Sequence, residues 1–181
     1  YDDFAAKLKD RVSKMKVGDG LEEGTDLGPL INPEASDKVR EHIKDAVDNG
    51  AEIILGNAKD DMGGNFFGPT IVIGVTQDMK VAKEETFGPL APLFKFDDVD
   101  DVIAMANDTI FGLASYFYAK DLSRVYKVAE ALEYGIVGVN TGIISTELAP
   151  FGGVKQSGLG REGSHHGIED YLEMKYVCLS V

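Results

Sequence analysis

The segment Lys-Glu-Glu-Thr-Phe-Gly-Pro at residues 83–89 is the strongest candidate for chemistry in this sequence. It follows a short helical pattern that Gly-Pro ends, before a strand-like run at residues 90–96. A carboxylate beside a strand end can bind hydroxyl groups, and an aromatic ring can pack on a flat ligand. An acidic pair at a helix end is more often a solvated turn, so the interpretation depends on the rest of the chain.

The other reactive residue types lack suitable neighbours. Cys178 lies in an apolar terminal run without an adjacent base, so we expect a structural cysteine rather than a nucleophile. His165 and His166 are adjacent, so their rings would diverge on a helix or a strand, and no third ligand is evident. His42 lies among charged neighbours on a helical pattern, and we expect it to be solvated. The sequence therefore predicts no metal site.

Two features of the glycine-rich region at residues 140–163 bear on ligand binding. Residues 158–163 match the pattern G-x-G-x-x-G, but no hydrophobic strand precedes them, so we reject a dinucleotide-binding fingerprint. The loop hydroxyls of Ser145 and Thr146 are of a kind that is usually solvated or bonded to backbone. Phe151 is held between a proline and a glycine, and such an aromatic is a reasonable pocket wall.

Composition narrows the class of protein. The chain has 181 residues and 44% hydrophobic residues, which predicts one globular domain with a sizeable core. The net charge of −13 argues against nucleic acid and anionic membranes as partners. The single cysteine excludes an internal disulfide, and we expect a cytoplasmic location. The chain begins at Tyr1, inside a helical pattern, so we expect that sequence is missing upstream.

Apolar periodicity predicts the secondary structure. The expected helices and strands are helix 1–16, helix 33–49, strand 51–55, strand 69–75, helix 79–85, strand 91–96, helix 99–107, strand 113–119, helix 122–132, strand 136–140, helix 167–172 and strand 176–179. An acidic excursion at residues 56–64 separates the first two strands. From residue 91 onward the order is β-α-β-α-β, which predicts parallel strands and an α/β fold. Ligands then lie at the carboxyl ends of strands, where Asn140 is expected.

Several motifs in order resemble those of one enzyme family. Residues 83–89 resemble the E-E-x-F-G-P motif of the aldehyde dehydrogenase superfamily. Val-Asn-Thr at 139–141, Pro-Phe-Gly-Gly at 150–153 and the run from 155 to 162 resemble its later motifs. The resemblance covers essentially the whole chain and is closest to the succinate-semialdehyde dehydrogenase branch.

The resemblance implies roles for four residues. Glu85 would bind the hydroxyls of the nicotinamide ribose, and Phe87 would pack beside the nicotinamide of NAD or NADP. Ser145 would help to hold the substrate carboxylate, and Phe151 would line the aldehyde tunnel. The terminal strand would add to a sheet of a partner subunit, which implies a homo-oligomer, either a dimer or a tetramer.

The resemblance also implies what this chain lacks. The family's reaction uses a cysteine thiolate that attacks the aldehyde and a glutamate that activates water to hydrolyse the thioester. Both residues lie N-terminal to the matching region, so no catalytic residue is expected here, and Cys178 is not at the nucleophile's position. The implied fold is a three-layer αβα arrangement with a mostly parallel sheet. Residues 1–160 would belong to the catalytic domain, and residues 161–181 to a tail with the oligomerisation strand.

Two alternatives remain open at this point. The enzyme could act on another aldehyde or semialdehyde instead of succinate semialdehyde. The chain could also be a non-catalytic interaction module that uses the same fold.

Overall fold

The computed structural model describes residues 1–56 and 63–181, so most of the acidic excursion expected at 56–64 lies outside the described residues. The chain forms two compact units, Tyr1–Phe96 and Asp97–Val181, where the sequence predicted one domain. The expected division between residues 160 and 161 stays a prediction.

The first unit is a small mixed sheet with helices. Its helices are α1 (Asp2–Val12), α2 (Pro33–Asp48) and α3 (Lys80–Lys83), and its strands are β1 (Glu52–Leu55), β2 (Thr70–Val75) and β3 (Leu90–Phe94). The strand order is β1-β2-β3, with β1 antiparallel and β3 parallel to the central strand β2. Because β2 is paired on both sides, it is the most buried strand, as its apolar sequence predicted.

Helix α2 begins and ends where the sequence predicted. The side chain of Asn32 accepts a hydrogen bond from the backbone N–H of Ala35 at 2.9 Å, and Pro33 occupies the first turn. Asn49 and Gly50 end the helix, Gly50 with a φ of 97°.

The buried face of α2 packs on the sheet and forms the core of the first unit. Two groups of buried side chains meet there: Val39, Ile43 and Phe67 in one, and Ala46, Ala51, Val72, Val75 and Met79 in the other. Ile53 of β1 and Leu90 of β3 pack against both groups. This shared packing fixes α2 relative to the start of β3, where the candidate motif at 83–89 ends.

The second unit alternates helices and strands. It contains α4 (Val99–Asn107), β4 (Ala114–Phe117), α5 (Leu122–Ala131) and β5 (Ile136–Val139), followed by 3-10 helices at Lys155–Ser157 and Glu169–Tyr171. Strands β4 and β5 are parallel. Asp98 and Asp121 cap α4 and α5 by accepting backbone N–H bonds, which explains the sharp starts of both helices.

The strands form two small sheets in place of one. Strand β3 pairs with β2, and β4 pairs only with β5 among the described residues. Two of the three strand pairs are parallel, so the α/β class is confirmed at this level. The three-layer arrangement stays a prediction. Among the described residues, no helix is both long and apolar enough to cross a bilayer.

The strand expected at 176–179 stays a prediction. A strand needs a hydrogen-bonded neighbour, and no other described segment of the chain pairs with these residues. Large apolar side chains are exposed there instead, including Tyr176, Val177 and Leu179. Cys178, which the sequence placed in that strand, is exposed as well.

An exposed ion pair between α2 and α3 gives a testable pH dependence. The hydrogen bond from Lys80, and then its charge, lowers the pKa of Glu41 below its usual 4.5, and the same pair raises the pKa of Lys80 above 10.5. Because the pKa of Glu41 is lowered, its ionised carboxylate stabilises the fold above about pH 4.5, and this stabilisation is lost as the pH falls below that value. Because the pKa of Lys80 is raised, its ammonium group stabilises the fold below about pH 10.5, and this stabilisation is lost as the pH rises above that value.

We therefore expect Glu41→Gln to lower the urea midpoint slightly between these pH values and to have a progressively smaller effect beyond them. Urea unfolding of the wild type and the variant at pH 3, 7 and 11 measures this difference. It should shrink at pH 7 in about 1 M salt, because salt screens exposed charges. A difference at pH 3 equal to that at pH 7 would contradict the assignment.

Candidate functional site

The loop at residues 84–89 presents two of the predicted site residues to solvent. Helix α3 ends at Lys83, and Glu84 already has an extended backbone, two residues earlier than predicted. Glu85 is exposed, and its carboxylate makes no hydrogen bond or ion pair with any described residue. The side chain of Phe87 is 81% exposed. Both side chains are therefore accessible from solvent.

Phe87 has an unusual backbone conformation. Its φ of 50° lies in the left-handed region, which bulky residues rarely adopt. Such strain costs on the order of 1–3 kcal/mol and persists only where the surroundings impose it. An exposed apolar ring held in this way is a surface on which a flat ligand could pack.

His42 holds this loop from the side of α2, contrary to the expectation that it is solvated. The side chain is completely buried. Its Nδ1 lies 2.9 Å from Oγ1 of Thr86, and its Nε2 lies 3.2 Å from Oε2 of Glu84. The charged sequence neighbours that suggested exposure lie on other sides of the helix. The helical spacing of His42 from Val39 and Ala46, which are both buried, could have indicated its burial.

Two further contacts fix the end of the loop. A Cβ atom on Gly88 would lie 2.4 Å from Cγ2 of Val39, so only glycine allows the backbone to approach α2 this closely. The carbonyl oxygen of Pro89 accepts a hydrogen bond from the backbone N–H of Thr70 at 2.9 Å. The loop is thus anchored to both α2 and β2.

Asn140 follows β5 in the second unit and has a structural role there. Its Oδ1 accepts a hydrogen bond from the N–H of Ala119 at 2.9 Å, and its Nδ2 donates to the carbonyl oxygen of Ala119 at 2.8 Å. Its φ of 56° is a conformation that asparagine tolerates. The amide therefore holds the carboxyl ends of β4 and β5 together and orients the loop that follows.

Ser145 lies in that loop. The side chain is exposed, and its hydroxyl has no hydrogen-bond partner among the described residues. The preceding residue, Ile144, is half-buried, and its Cγ2 would lie 3.1 Å from a Cβ atom on Gly138. Ile144 thus ties the loop to β5, while Ser145 remains available to a ligand.

Phe151 lines a cavity of about 610 Å³ in the second unit. Its backbone pairs with that of Glu162 through two hydrogen bonds of 2.8 and 2.7 Å. Beside it, a Cβ atom on Gly152 would lie 2.4 Å from the carbonyl oxygen of Gly160. The glycines here allow close backbone contact, and the cavity is bordered by Leu113, Arg161, Ile168 and Tyr171.

Arg161 and Lys155 organise the glycine-rich region, and no pattern in the sequence predicted either role. Nη1 of Arg161 donates to the carbonyl oxygens of Gly153 and Gly160, each at 2.7 Å. Nζ of Lys155 donates to the carbonyl oxygen of Asn107 at 2.8 Å. Arg161 therefore shapes the cavity wall, and Lys155 ties the glycine-rich region to the end of α4.

The histidine pair at 165 and 166 also differs from expectation. The ring centroids lie 3.9 Å apart, whereas the sequence predicted diverging rings. The reason is that the pair lies in a turn, where the geometry of a helix or strand does not apply. Nδ1 of His166 lies 3.1 Å from Oε1 of Glu169. Within residues 1–56 and 63–181, no group of three side chains is placed to hold a metal ion.

The predicted site residues thus fall into two pairs. Glu85 and Phe87 share one anchored loop in the first unit. Ser145 and Phe151 lie on the segment after β5 in the second unit, but Ser145 does not line the cavity that Phe151 borders. Each pair is exposed or borders a cavity, as ligand-binding side chains must be.

Comparison with known proteins identifies the family. Residues 1–177 match the aldehyde dehydrogenase family. The chain is 64% identical over 181 residues to the succinate-semialdehyde dehydrogenase [NADP(+)] GabD of Escherichia coli (strain K12), covering 38% of that protein. It is 65% identical to a glutarate-semialdehyde dehydrogenase of Pseudomonas putida, covering 37% of it.

A solved structure agrees with these matches. The crystal structure described as an E. coli NADP dependent enzyme superposes on the whole chain with a TM-score of 0.97 and 64% identity, and the chain covers 38% of it. The chain therefore spans less than two fifths of the length of the relatives it matches. With most of its residues matching the family and its fold superposing on a solved relative, the chain belongs to the aldehyde dehydrogenase family.

Proposed function

We propose that this chain is part of an NAD(P)-dependent aldehyde dehydrogenase that oxidises succinate semialdehyde to succinate. The chain supplies residues that bind cofactor and substrate, and the nucleophile and general base lie in the rest of the enzyme. The observation that carries the proposal is the anchored loop at 84–89, with its exposed Glu85 carboxylate and Phe87 ring. The similarity to succinate-semialdehyde dehydrogenase supports the choice of substrate.

The cofactor residues fit a nicotinamide nucleotide. The oxygens of Glu85 accept no hydrogen bond from the described residues, so they can accept from the two hydroxyls of a ribose. The exposed face of Phe87 offers an apolar surface to a planar ring. When bound, NAD or NADP supplies the hydride acceptor for the oxidation.

Glu85 and Phe87 would contribute only by binding and orienting the cofactor, and they would take no part in the chemical step. Hydroxyl groups held by a fixed carboxylate would hold the attached ring in one orientation, and orientation of this kind contributes to rate. Because the loop is anchored to α2 and β2, both side chains are placed before the ligand arrives. The preference for NAD or NADP is not set by these two residues, since both nucleotides share the nicotinamide ribose.

Ser145 would bind the carboxylate end of the substrate. Its exposed hydroxyl can donate a hydrogen bond to a carboxylate oxygen. Two relatives of the chain are named for semialdehydes that carry a carboxylate at the far end, succinate and glutarate semialdehyde. Phe151 would form an apolar wall along which the carbon chain between the two ends lies.

The chemical step is assigned to residues outside this chain. Cys178 is the single cysteine, and it lies exposed in the tail with no base bonded to it among the described residues. The proposed nucleophile is a cysteine thiolate elsewhere in the enzyme, which adds to the aldehyde carbon. A glutamate there would activate the water that releases the acid.

Two alternatives are retained. Glutarate semialdehyde is one carbon longer, and the similarity to a glutarate-semialdehyde dehydrogenase is as high as that to GabD. If the chain were a non-catalytic module of the same fold, substitutions at Glu85 or Ser145 would not change the turnover of the enzyme that contains it.

A cytoplasmic location also stays a prediction.

The cofactor role predicts the effect of Glu85→Ala in the full-length enzyme. Loss of hydrogen bonds to a charged group costs about 1.5–3 kcal/mol, so kcat/KM for the cofactor should fall roughly 10- to 100-fold. KM for the aldehyde should change little. Initial-rate kinetics with varied NAD and NADP measure this, and Glu23→Ala, at another exposed acid, is the matched control. Unchanged cofactor kinetics in Glu85→Ala would refute the role.

The substrate role predicts a selective effect of Ser145→Ala. KM should rise about three- to tenfold for succinate semialdehyde, since one hydrogen bond is lost, but not for an uncharged aldehyde of similar length. Ser145→Thr keeps the hydroxyl and should retain most of the affinity. Steady-state kinetics with both aldehydes, and with glutarate semialdehyde, make the comparison. Equal changes for charged and uncharged aldehydes would remove the carboxylate role.

We also propose that the apolar tail at 176–179 pairs with the sheet of a second subunit. Its exposed backbone and apolar side chains are what an added edge strand requires. Such pairing would make the enzyme a homo-oligomer, either a dimer or a tetramer.

The tail proposal predicts that Val177→Asp lowers the oligomeric mass of the full-length enzyme, because a charge would be buried in the interface. Light scattering measures that mass. Cys178→Ser, a near-isosteric change at the next residue, should leave both mass and turnover unaltered. An unchanged mass in Val177→Asp, or loss of turnover in Cys178→Ser, would contradict the proposed roles of the tail and of Cys178 respectively.

A further inference from the structure

A buried histidine of the first unit makes polar contacts and has no role in the function proposed above. His42 is inaccessible to solvent, and both of its ring nitrogens contact the loop at 84–89. Such a histidine could simply complete the core. The positions of its two partners indicate a further role, because these partners alternate along the chain with Glu85 and Phe87, the two proposed cofactor residues.

Alternate side chains of the loop contact α2. Glu84 and Thr86 contact His42, although 52% of the Glu84 side chain stays exposed, whereas Glu85 and Phe87 are exposed. Glu84 has an extended backbone, and in an extended segment successive side chains point in opposite directions. The contacts that hold Glu84 and Thr86 therefore also turn Glu85 outward, and the left-handed backbone of Phe87, which follows Thr86, sets the direction of its ring.

The hydrogen-bond chemistry fixes the direction of both bonds when the imidazole is neutral. An ionised Glu84 can only accept, so Nε2 carries the hydrogen and donates to its carboxylate. Nδ1 is then an acceptor, and the hydroxyl of Thr86 donates to it. The hydroxyl of Thr86 and the imidazole thus form a short chain of hydrogen bonds that ends at Glu84.

The same helix also holds the element before the loop. The carboxylate of Asp45 accepts a hydrogen bond from the backbone N–H of Lys80 at 2.8 Å, and Glu41 pairs with the side chain of Lys80. Since α3 and the loop are both held by α2, the loop has few ways to shift as a unit.

We propose that His42 is a positioning residue for cofactor binding: its contacts with Thr86 and Glu84 hold the loop in the conformation that presents Glu85 and Phe87. The inference rests on the proposed function, because it assigns cofactor binding to those two residues. His42 itself does not reach the cofactor. It sets the affinity by keeping the loop in one arrangement before binding.

The test uses the full-length enzyme and variants on both sides of the contact. His42→Ala removes both bonds. His42→Asn places an amide near the position of Nδ1 and can keep the contact with Thr86. Thr86→Val removes the hydroxyl with almost no change of shape, so it tests the same contact if His42→Ala fails to fold. Lys44→Ala, at the exposed ion pair with Asp48 on the same helix, is the matched control.

Two measurements are made on each variant. Hydrogen–deuterium exchange followed by mass spectrometry reports the opening of the peptide that contains residues 83–89. Initial-rate kinetics give KM for the cofactor and for the aldehyde separately. A role in general stability would raise exchange throughout the first unit and would affect both substrates alike.

We expect His42→Ala and Thr86→Val to speed exchange in the 83–89 peptide and to raise KM for the cofactor about three- to tenfold, with little change for the aldehyde. His42→Asn should restore most of the affinity, and Lys44→Ala should match the wild type. Exchange at wild-type rates in the 83–89 peptide of both variants, or equal changes in both KM values, would overturn the inference. If the proposed cofactor role of Glu85 is itself wrong, Glu85→Ala will leave KM for the cofactor unchanged. That outcome is distinguishable from a failure of the inference about His42.

Discussion

Helix α2 packs one face against the β1–β3 sheet and the loop at 84–89, and the arrangement of the first unit depends on that packing. Val39 and Ile43 provide the apolar contacts, while His42, between them on the same buried side, provides the polar ones. Burial of polar atoms is costly unless they are paired, and both ring nitrogens of His42 are paired. The contact is therefore specific as well as stabilising: another register of the helix would leave the imidazole without partners.

The second unit is organised by a different kind of contact. Its strands are short, and the side chains of an asparagine, an arginine and a lysine form hydrogen bonds with backbone groups from other parts of the unit. Asn140 binds Ala119, Arg161 binds two glycine carbonyls, and Lys155 binds the end of α4. The interaction of Arg161 shapes the wall of the cavity that Phe151 lines. In both units, then, side chains behind the surface determine the position of side chains that we propose to face a ligand.

The sequence predicted local structure well where the determinants are local. Asn32 and Pro33 set the start of α2, and α4 extends over the residues that periodicity predicted, because caps and apolar spacing act within one helix. The burial of His42 was missed, since its partners lie 42 and 44 residues away in sequence. The terminal strand stays a prediction, because pairing depends on a neighbour and no described segment of the chain pairs with these residues. Similarly, the sequence pointed to Glu85 and Phe87 through a motif but could not show what fixes them.

The left-handed backbone of Phe87 has a consequence for the thermodynamics of ligand binding. A phenyl ring has only two rotatable side-chain bonds, and here the backbone that carries it is already confined to a rare conformation. In the proposed function, little conformational freedom would then be left for the cofactor to remove on contact, so the entropic penalty of association at this ring would be small. The unfavourable backbone geometry is compensated during folding by the contacts of the loop with α2 and β2, and it need not be compensated again each time a ligand binds and leaves.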